Sequence, residues 1–339
     1  MSGDIFLLLM QDGLTTGAIY VLLALGLLLV FSVTRVIFIP QGDFVAYGTL
    51  SFATLLAHRI PGTLWLLDGM ALLSAVASLM RARDIGWRGF ALRLGPPAAL
   101  TATALLLVRF YPSVPLLGVV AVGIVAALGP LVYRFAFAPI ARASVLALLI
   151  VAMAVHYVLI GLGLIFFGAE ASSTPGFTAA NVAFAGEQIS GQSLCVWAAA
   201  AVLVAVLRWG FGATLYGRAL RAAASNALGA RLVGIDEGTT GRLAFLLAAA
   251  LGGFAGILIG AVTPISYDAG FILGLKGFVA AIIGGLASYP LAAAGALIVG
   301  IAESFADFWA SAYRDVIVFT LIIPVLVWLS IRRPGVDQN

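Results

Sequence analysis

The chain has 339 residues, of which 63% are hydrophobic and only 9% are charged, whereas a soluble globular domain carries about 25% charged residues. A soluble fold of this size cannot bury so much apolar surface, so lipid is the solvent that the composition requires. The formal net charge of +4 comes from scattered arginines and a single lysine, Lys276. This pattern does not match a nucleic-acid-binding surface, so we expect no nucleic acid as a partner.

Hydropathy predicts an all-α fold, a polytopic transmembrane helix bundle of about nine to eleven spans within a single transmembrane domain, 1–339. The first apolar run is too long for a signal peptide and is predicted to remain as a membrane helix. The predicted spans are 8–33, 40–57, 63–80, 96–110, 115–134, 144–168, 193–209, 242–263, 271–288, 291–309 and 315–331.

Arginine placement predicts the orientation, because positively charged loops stay on the cytoplasmic side. The polar stretch 210–241 holds Arg218, Arg221 and Arg231 and is assigned to the inside. Alternating the spans from there places 14 of the 18 lysines and arginines inside. We therefore expect an outside N-terminus, a cytoplasmic C-terminus and membrane lipid around the spans.

A break is predicted after the first span, at Pro40-Gln41-Gly42-Asp43. Proline removes a backbone donor, and free backbone groups at membrane depth are tolerated only inside protein or beside a watery cavity. Gln41, Gly42 and Asp43 are therefore candidates for the substrate pathway. The alternative is a surface loop in which Asp43 caps a helix.

A faint internal repeat links this region to the C-terminal half. Asp43-Phe44-Val45-Ala46 resembles Gly277-Phe278-Val279-Ala280, and each follows a glycine-bearing span and a polar break. In the predicted topology the two copies run in opposite directions, which is typical of transporters. In the late copy, Gly252, Gly256 and Gly260 share one helix face and are predicted to pack closely against a neighbouring helix.

Charged residues within apolar runs are the other candidates for the pathway. Lys276 precedes an apolar run, and Glu303 shares a helix face with Asp307, so these carboxylates are candidate partners for Lys276 or Arg314. Lys276 and Glu303 are assigned to the substrate pathway, although Lys276 at the outer interface is an alternative. His156 is interpreted as a hydrogen-bonded core residue.

The polar stretch 210–241 contains an alanine-rich run that predicts a short amphipathic helix ending near Gly234. Its small residues and arginines suit a groove on a soluble partner, and a solvated or membrane-surface helix is the alternative. The candidate docking residues are Arg218, Arg221, Ala222, Asn226, Arg231 and Gly234.

The sequence lacks the motifs of several other functions. It has no G-x-x-x-x-G-K-[ST] phosphate loop, no H-E-x-x-H and only one cysteine, Cys195. Ser190-Gly191 has no credible histidine partner for hydrolysis. We therefore expect no enzyme activity, no catalytic residue, no metal site and no cofactor.

Four stretches resemble the permeases of branched-chain amino acid ABC importers, of the LivH-like type. They are 12–26 (DGLTTGAIYVLLALG), Pro40-Gln41-Gly42-Asp43 with Tyr47-Gly48, the docking run from Gly217-Arg218-Ala219-Leu220-Arg221-Ala222 to Gly234-Ile235, and 275–288 (LKGFVAAIIGGLAS) with 300–303 and 313–316. Three features depart from the family: Tyr133 to Pro139 lacks the usual E-R-x-x-Y-R-P pattern, Ser225 stands where an acidic residue is common, and 64–112 is interpreted as an inserted helix pair.

The resemblance implies a transmembrane permease of the bacterial inner membrane. Its partners would be a second, LivM-like permease, two cytoplasmic ABC ATPases docked on 210–241, and a periplasmic solute-binding protein. The substrates would be branched-chain or other amino acids, amides or urea, moved by ATP-driven alternating access. The alternative from the residues is an ion-coupled secondary transporter that uses Lys276, Glu303 and Asp307.

Overall fold

The computed structural model describes residues 3–81, 87–110, 113–178, 180–184, 187–286 and 288–332. Most of these residues are helical, as the composition predicts. The helices are α1 Gly3–Thr34, α2 Gln41–Leu56, α3 Gly62–Arg81, α4 Trp87–Phe110, α5 Val114–Val132, α6 Val145–Phe167, α7 Gly191–Ala213, α8 Leu215–Ser225, α9 Ala227–Leu232, α10 Glu237–Gly260, α11 Gly270–Ile283, α12 Tyr289–Ala310, α13 Arg314–Thr320 and α14 Ile322–Arg332. A π turn, Tyr133–Phe137, and a 3-10 turn, Ala138–Ile140, extend α5.

One small hairpin lies in the long loop between α6 and α7, where the sequence analysis predicts no strand. Its strands, β1 Asn181–Phe184 and β2 Glu187–Ser190, pair antiparallel, with Asn181 opposite Ser190. The loop also pairs Ser172 with Ile265. These backbone contacts hold the loop against the segment that joins α10 to α11.

Six helical stretches of the described chain are long and apolar enough to cross a membrane, so the protein is a multi-pass membrane protein. They are Gly3–Thr34, Val114–Ile140, Val145–Phe167, Gly191–Ala213, Glu237–Gly260 and Tyr289–Val327. The predicted spans 63–80, 96–110 and 271–288 fall on shorter apolar helices, and 40–57 falls on the 16-residue α2. The predicted spans 291–309 and 315–331 fall together in the last stretch.

Helices α1 and α10 form the centre of the bundle. The most apolar window of α1 is 78% buried and that of α10 is 72% buried, whereas the values for α6 and α7 are 22% and 11%. A helix that is apolar on all sides suits either a protein core or a lipid-facing position. Burial therefore separates the two central helices, α1 and α10, from an outer layer in which most of the apolar surface is exposed.

The two ends of the bundle are distinguished by their loops. Leu29 of α1 packs with Leu220 of α8 and Ala244 of α10, so α1 ends and α10 starts beside α8. At the other end, Gly260 accepts a hydrogen bond from Thr174 of the hairpin loop. The start of α1 therefore lies at the end opposite α8, which agrees with the relative topology predicted from the arginines. The absolute orientation stays a prediction.

Helices α3 and α4, which cover the predicted insertion at 64–112, pack against each other and against α5. Thr101 of α4 donates to both carboxylate oxygens of Asp68 on α3, at 2.9 and 3.0 Å. The Arg134 guanidinium donates to Ser74 and Ser78, which are one turn apart on α3. Of the predicted basic turn, Arg83 and the side chains of Arg81, Arg88 and Arg93 lie outside the described residues.

Candidate functional site: two crossing half-helices and an exposed helical surface

The predicted break after the first span produces a half-helix inside the bundle. Helix α1 ends at Thr34, Arg35 takes a left-handed conformation with φ of 61°, and α2 begins only at Gln41. Asp43 lies in the first turn of α2 but does not cap it, because Pro40 occupies the cap position and no side chain bonds there. The surface-loop alternative is therefore wrong: Gln41, Gly42 and Asp43 are all buried.

The three glycines of α10 determine how α2 lies in the bundle. A methyl group on Gly256 would lie 2.2 Å from the Val45 carbonyl oxygen, and methyl groups on Gly252 and Gly260 would also collide with α2. The predicted close packing is therefore found, and α2 is the neighbour. Gly252 faces Phe44, and Gly260, two turns further along α10, faces Thr49. Helix α2 therefore runs parallel to α10, away from the α8 end. Its start lies beside Gly252, about 22 Å along α10 at 1.5 Å per residue.

The second copy of the repeat forms an opposed half-helix. After α10, residues 261–269 precede the 14-residue α11. Gly284, which follows α11 directly, packs against Ala292 near the start of α12. Tyr289, the first residue of α12, packs against the ring of Phe211 near the end of α7, with the ring centroids 5.6 Å apart. Helix α11 therefore runs toward the α8 end, opposite to α2, as the inverted repeat predicts.

The two half-helices cross at glycines close to their N-termini. A methyl group on Gly42 would lie 1.8 Å from the Gly270 carbonyl oxygen and 2.5 Å from the Gly274 amide nitrogen. Backbone therefore touches backbone at the crossing. Because each helix N-terminus carries unpaired N–H groups and a partial positive charge, two such ends meet at membrane depth.

Gln41 carries an unpaired acceptor at this crossing. Its Nε2 donates to the carbonyl oxygen of Ala248 at 2.9 Å. Its Oε1 is buried and finds no hydrogen-bond partner in the described chain. Buried polar atoms in native proteins are usually hydrogen-bonded, so Gln41 Oε1 is an acceptor that the described chain leaves available at the crossing.

Asp43 is paired with His156, for which the sequence predicts a hydrogen-bonded position in the core. Nδ1 of His156 lies 2.9 and 2.8 Å from the two Asp43 carboxylate oxygens, and both residues are at most 2% exposed. The imidazole ring also packs on Phe271 of α11. The prediction that His156 is a hydrogen-bonded core residue is confirmed, and its partner is 113 residues away in sequence.

Lys276 is the charged residue of the other half-helix and is not at the surface. Its Nζ donates to Glu303 Oε1 at 2.6 Å and lies 3.0 Å from Asp315. Tyr20 of α1 donates to the second Glu303 oxygen at 2.7 Å. Lys276 and Glu303 are only 3% and 9% exposed. The alternative that Lys276 lies at the outer interface is therefore wrong, and the predicted pairing with Glu303 is found.

A second cation extends this cluster toward the surface. Arg314 lies 3.2 Å from Asp307, which confirms the other predicted pair, and 3.7 Å from Glu303. The side chains of Arg314 and Asp307 are 40% and 52% exposed. Two cations thus face three carboxylates along α12 and α13, with the buried pair, Lys276 and Glu303, beside the crossing half-helices.

The predicted docking helix is two helices, α8 and α9, separated by Asn226. Its Oδ1 accepts from the Gly229 amide at 2.8 Å, so Asn226 caps α9. Gly234 has φ of 87° just after α9 ends, which is the predicted terminating role. Gly217, Leu220 and Ala223 anchor α8 in the bundle.

The opposite face of α8 and α9 is exposed. Arg218, Arg221, Asn226 and Arg231 lie on it, and Ala222 is half-buried. Large apolar side chains accompany them, namely Leu215, Tyr216, Leu228, Leu232 and Val233, each more than 65% exposed. Exposed apolar residues rimmed by polar ones are typical of interaction sites.

A cavity of about 580 Å³ joins this surface to a segment that sequence reasoning missed. Arg231, Gly234 and Ile235 line one side, and Pro139 and Arg142 line the other. Pro139 ends the run that departs from the family pattern, and Arg142 follows it by three residues. The two segments are nearly 100 residues apart in sequence, so only the tertiary structure shows that they line one cavity.

Comparison with known proteins agrees with this architecture. Residues 9–326 match the family described as branched-chain amino acid transport system, permease component. The chain is 30% identical over 260 residues to the branched-chain amino acid permease protein BraD of Pseudomonas aeruginosa, covering 72% of this chain and 84% of that protein. It is 27% identical over 349 residues to the permease protein LivH of Escherichia coli, covering 98% and 97%. No solved structure matches the chain.

The match spans nearly the whole chain, including both half-helices, α8, α9 and the helices that hold them. The relatives are transport permeases and are not named as enzymes. The chain therefore belongs to the family of branched-chain amino acid transport permeases.

Proposed function

We propose that this chain is the permease subunit of an ATP-driven importer in a bacterial inner membrane. Its substrates are branched-chain or other amino acids, or related amides. It pairs with a second, LivM-like permease, two cytoplasmic ATPases bind its α8 end, and a periplasmic binding protein delivers the solute to the opposite end. The observation that carries the proposal is the meeting of two opposed half-helix N-termini inside the membrane.

The crossing suits the transport of an amino acid. Half-helix N-termini stabilise anionic groups such as a substrate carboxylate. Gln41 Oε1, which lacks a protein partner, offers an acceptor for an ammonium group. The glycine crossing leaves no side chain between the two backbones, so a small sliding motion opens or closes this point. We assign Gln41, Gly42 and Asp43 to the pathway, with Lys276 and Glu303 holding α11 in place.

The α8 end suits a soluble motor. The exposed leucines and arginines of α8 and α9 match the mixed composition of protein interfaces, where apolar anchors lie within a polar rim. In this proposal the motor moves α8, and α8 transmits the motion to α1 and α10 through Leu220. Nucleotide-dependent affinity for one of two conformations then alternates access to the crossing.

The ion-coupled alternative has no support from the family or from the named relatives. Its proposed coupling residues, Lys276, Glu303 and Asp307, are each held in an ion pair. A coupling ion would have to displace these partners in every cycle. We therefore retain only the proposal that ATP hydrolysis drives transport.

Uptake by proteoliposomes tests the function. The complete transporter, with both permeases, both ATPases and the binding protein, should accumulate leucine only when ATP is enclosed on the ATPase side. Dissipating proton and sodium gradients should leave the rate unchanged. Uptake by the permeases without ATPases, driven by an ion gradient, would contradict the proposal.

Co-purification tests the docking surface separately. Replacing both Leu228 and Leu232 by Asp should abolish recovery of the ATPases, because charged side chains cannot enter an apolar interface without a partner. The matched control is Val182→Asp, an exposed apolar residue on the hairpin at the other end. This control should recover the ATPases at the wild-type level, and full recovery with the double variant would refute docking at α9.

A further inference from the structure

A second cavity near the α8 end is lined mainly by α7 and the start of α12, and we name it the α7–α12 groove. Its volume is about 980 Å³, near the upper limit of the ~300–1,000 Å³ usual for ligand sites. Val204, Leu207 and Ala293 form part of its apolar wall, and Leu25 of α1 forms its floor. The groove is separate from both the half-helix crossing and the cavity beside Arg231.

Two arginines from different elements border the groove. Arg208 comes from the last turns of α7, and Arg221 comes from α8. No Asp or Glu is among the described residues that line it, and neither arginine has an ion-pair partner in the described chain. The lining of the groove therefore combines apolar side chains with two positive charges that no described carboxylate compensates.

The groove lies where the membrane meets water. Trp209 lines it and is 67% exposed, and tryptophan is enriched at membrane interfaces. Leu25 lies nine residues before the end of α1, so the groove extends about 14 Å from the α8 end toward the membrane interior. Helix α7 faces outward along this stretch, since only 11% of its apolar window is buried.

We infer that the α7–α12 groove binds an anionic phospholipid of the leaflet at the α8 end. Arginine is the residue best suited to a phosphate group, and the apolar wall below it accommodates an acyl chain. Because Arg221 is on α8, the bound lipid links the docking helix to α7 and α12. The side of the membrane rests on the proposed orientation, whereas the binding itself does not.

Native mass spectrometry of the purified full-length chain tests this inference without using transport. The wild-type chain should retain phosphatidylglycerol and release phosphatidylcholine. Arg208→Gln with Arg221→Gln should weaken retention of phosphatidylglycerol about thirty-fold, the loss expected for two arginines near an anionic leaflet. The matched control is Arg242→Gln, an exposed arginine at the same end that does not line the groove, and it should bind as the wild type does.

Several outcomes would overturn the inference. They are equal retention of the two lipids by the wild type, unchanged retention by the double variant, and displacement of the lipid by excess inorganic phosphate. Loss of the lipid when the second permease joins the complex would assign the groove to that partner instead.

Trp209 provides a readout that a misfolded variant cannot imitate. Phosphatidylglycerol with brominated tails should quench tryptophan fluorescence more than brominated phosphatidylcholine does at the same mole fraction. This difference should disappear in Trp209→Phe, and its persistence there would place the lipid elsewhere. Failure of the lipid test would leave ATP-driven uptake unaffected, so the two proposals can fail independently.

Discussion

The two copies of the repeat share a backbone design and differ in their charges. Each has a long buried helix, a break and a short helix, and the short helices cross at Gly42 and Gly270. The first copy places an aspartate against a histidine, whereas the second places a lysine between two carboxylates. The comparison indicates that glycine packing sets the symmetric frame, while the charged side chains make the two halves chemically unequal.

The largest expected effect comes from the shared crossing. Gly42→Ala and Gly270→Ala should each prevent accumulation of folded permease, because the added methyl group meets backbone or the Asp43 carboxylate within 2.4 Å. Detergent-solubilised yield in size-exclusion chromatography measures this. Gly161→Ala in α6 is the control, since nothing lies within 4 Å of its added methyl group. Normal yield from the crossing variants would contradict the proposed close contact of the two half-helices at Gly42 and Gly270.

The next effect concerns the lysine of the second copy. Lys276→Met leaves the buried Glu303 carboxylate without its closest cation and should lower the free energy of unfolding by about 3–5 kcal/mol. Adding Glu303→Gln should recover part of that loss. Denaturant titration in mild detergent measures both. A single variant as stable as the wild type, or a double variant no better than the single, would contradict the buried pair.

A smaller and asymmetric effect is expected in the first copy. Asp43→Asn should lower the free energy of unfolding by about 1–3 kcal/mol, because the remaining imidazole is stable without charge. His156→Leu should be more destabilising, since it leaves a carboxylate unpaired. The same titration compares them. Equal losses, or a smaller loss in His156→Leu, would show that Asp43 does not depend on His156 for its charge.

The smallest effect concerns the start of α10. Asp236 caps this helix by accepting from the Thr239 amide at 2.8 Å, and removing a cap costs about 1 kcal/mol. Hydrogen bonds from Thr239 hold the pKa of Asp236 below its usual value. The cap contribution is therefore complete above the ordinary aspartate pKa and is lost as the pH falls through the lower folded value.

Stability measured against pH tests the cap. Asp236→Ala should differ from the wild type at neutral pH, and the difference should shrink in acid. Asp236→Asn is the control, because asparagine caps as well but does not titrate in this range. An acid-dependent loss of the same size in Asp236→Asn would refute the assignment.

Local signals predicted much of this architecture. Pro40 and Gly42 predicted the break before α2, and the spacing of Gly252, Gly256 and Gly260 predicted a close contact, because both effects act over a few residues. Lys276 and Glu303 were predicted as candidate partners because charges in apolar helices seek each other. The alanine-rich run predicted the region of α8 and α9, but it did not predict the interruption at Asn226.

Longer-range features were beyond a single sequence. The 113-residue separation hides the contact of His156 with Asp43. The apolar run at 271–288 predicts a span, yet α11 stops at Ile283, where Gly284 packs on Ala292 and Gly285 takes φ of 63°. The shared cavity that Arg142 and Arg231 line likewise depends on tertiary packing. Hydropathy reports where a helix is apolar, whereas tertiary contacts decide where it ends.

Thiol labelling at the crossing tests the central claim most directly. Cys195 is the only cysteine, so Gln41→Cys in a Cys195→Ser background gives one reactive site in the assembled transporter. A membrane-impermeant maleimide should label this cysteine from one side without nucleotide and from the other side with ATP trapped on the ATPases. Absence of labelling from either side in both states, while leucine uptake continues, would contradict a pathway through the crossing half-helices.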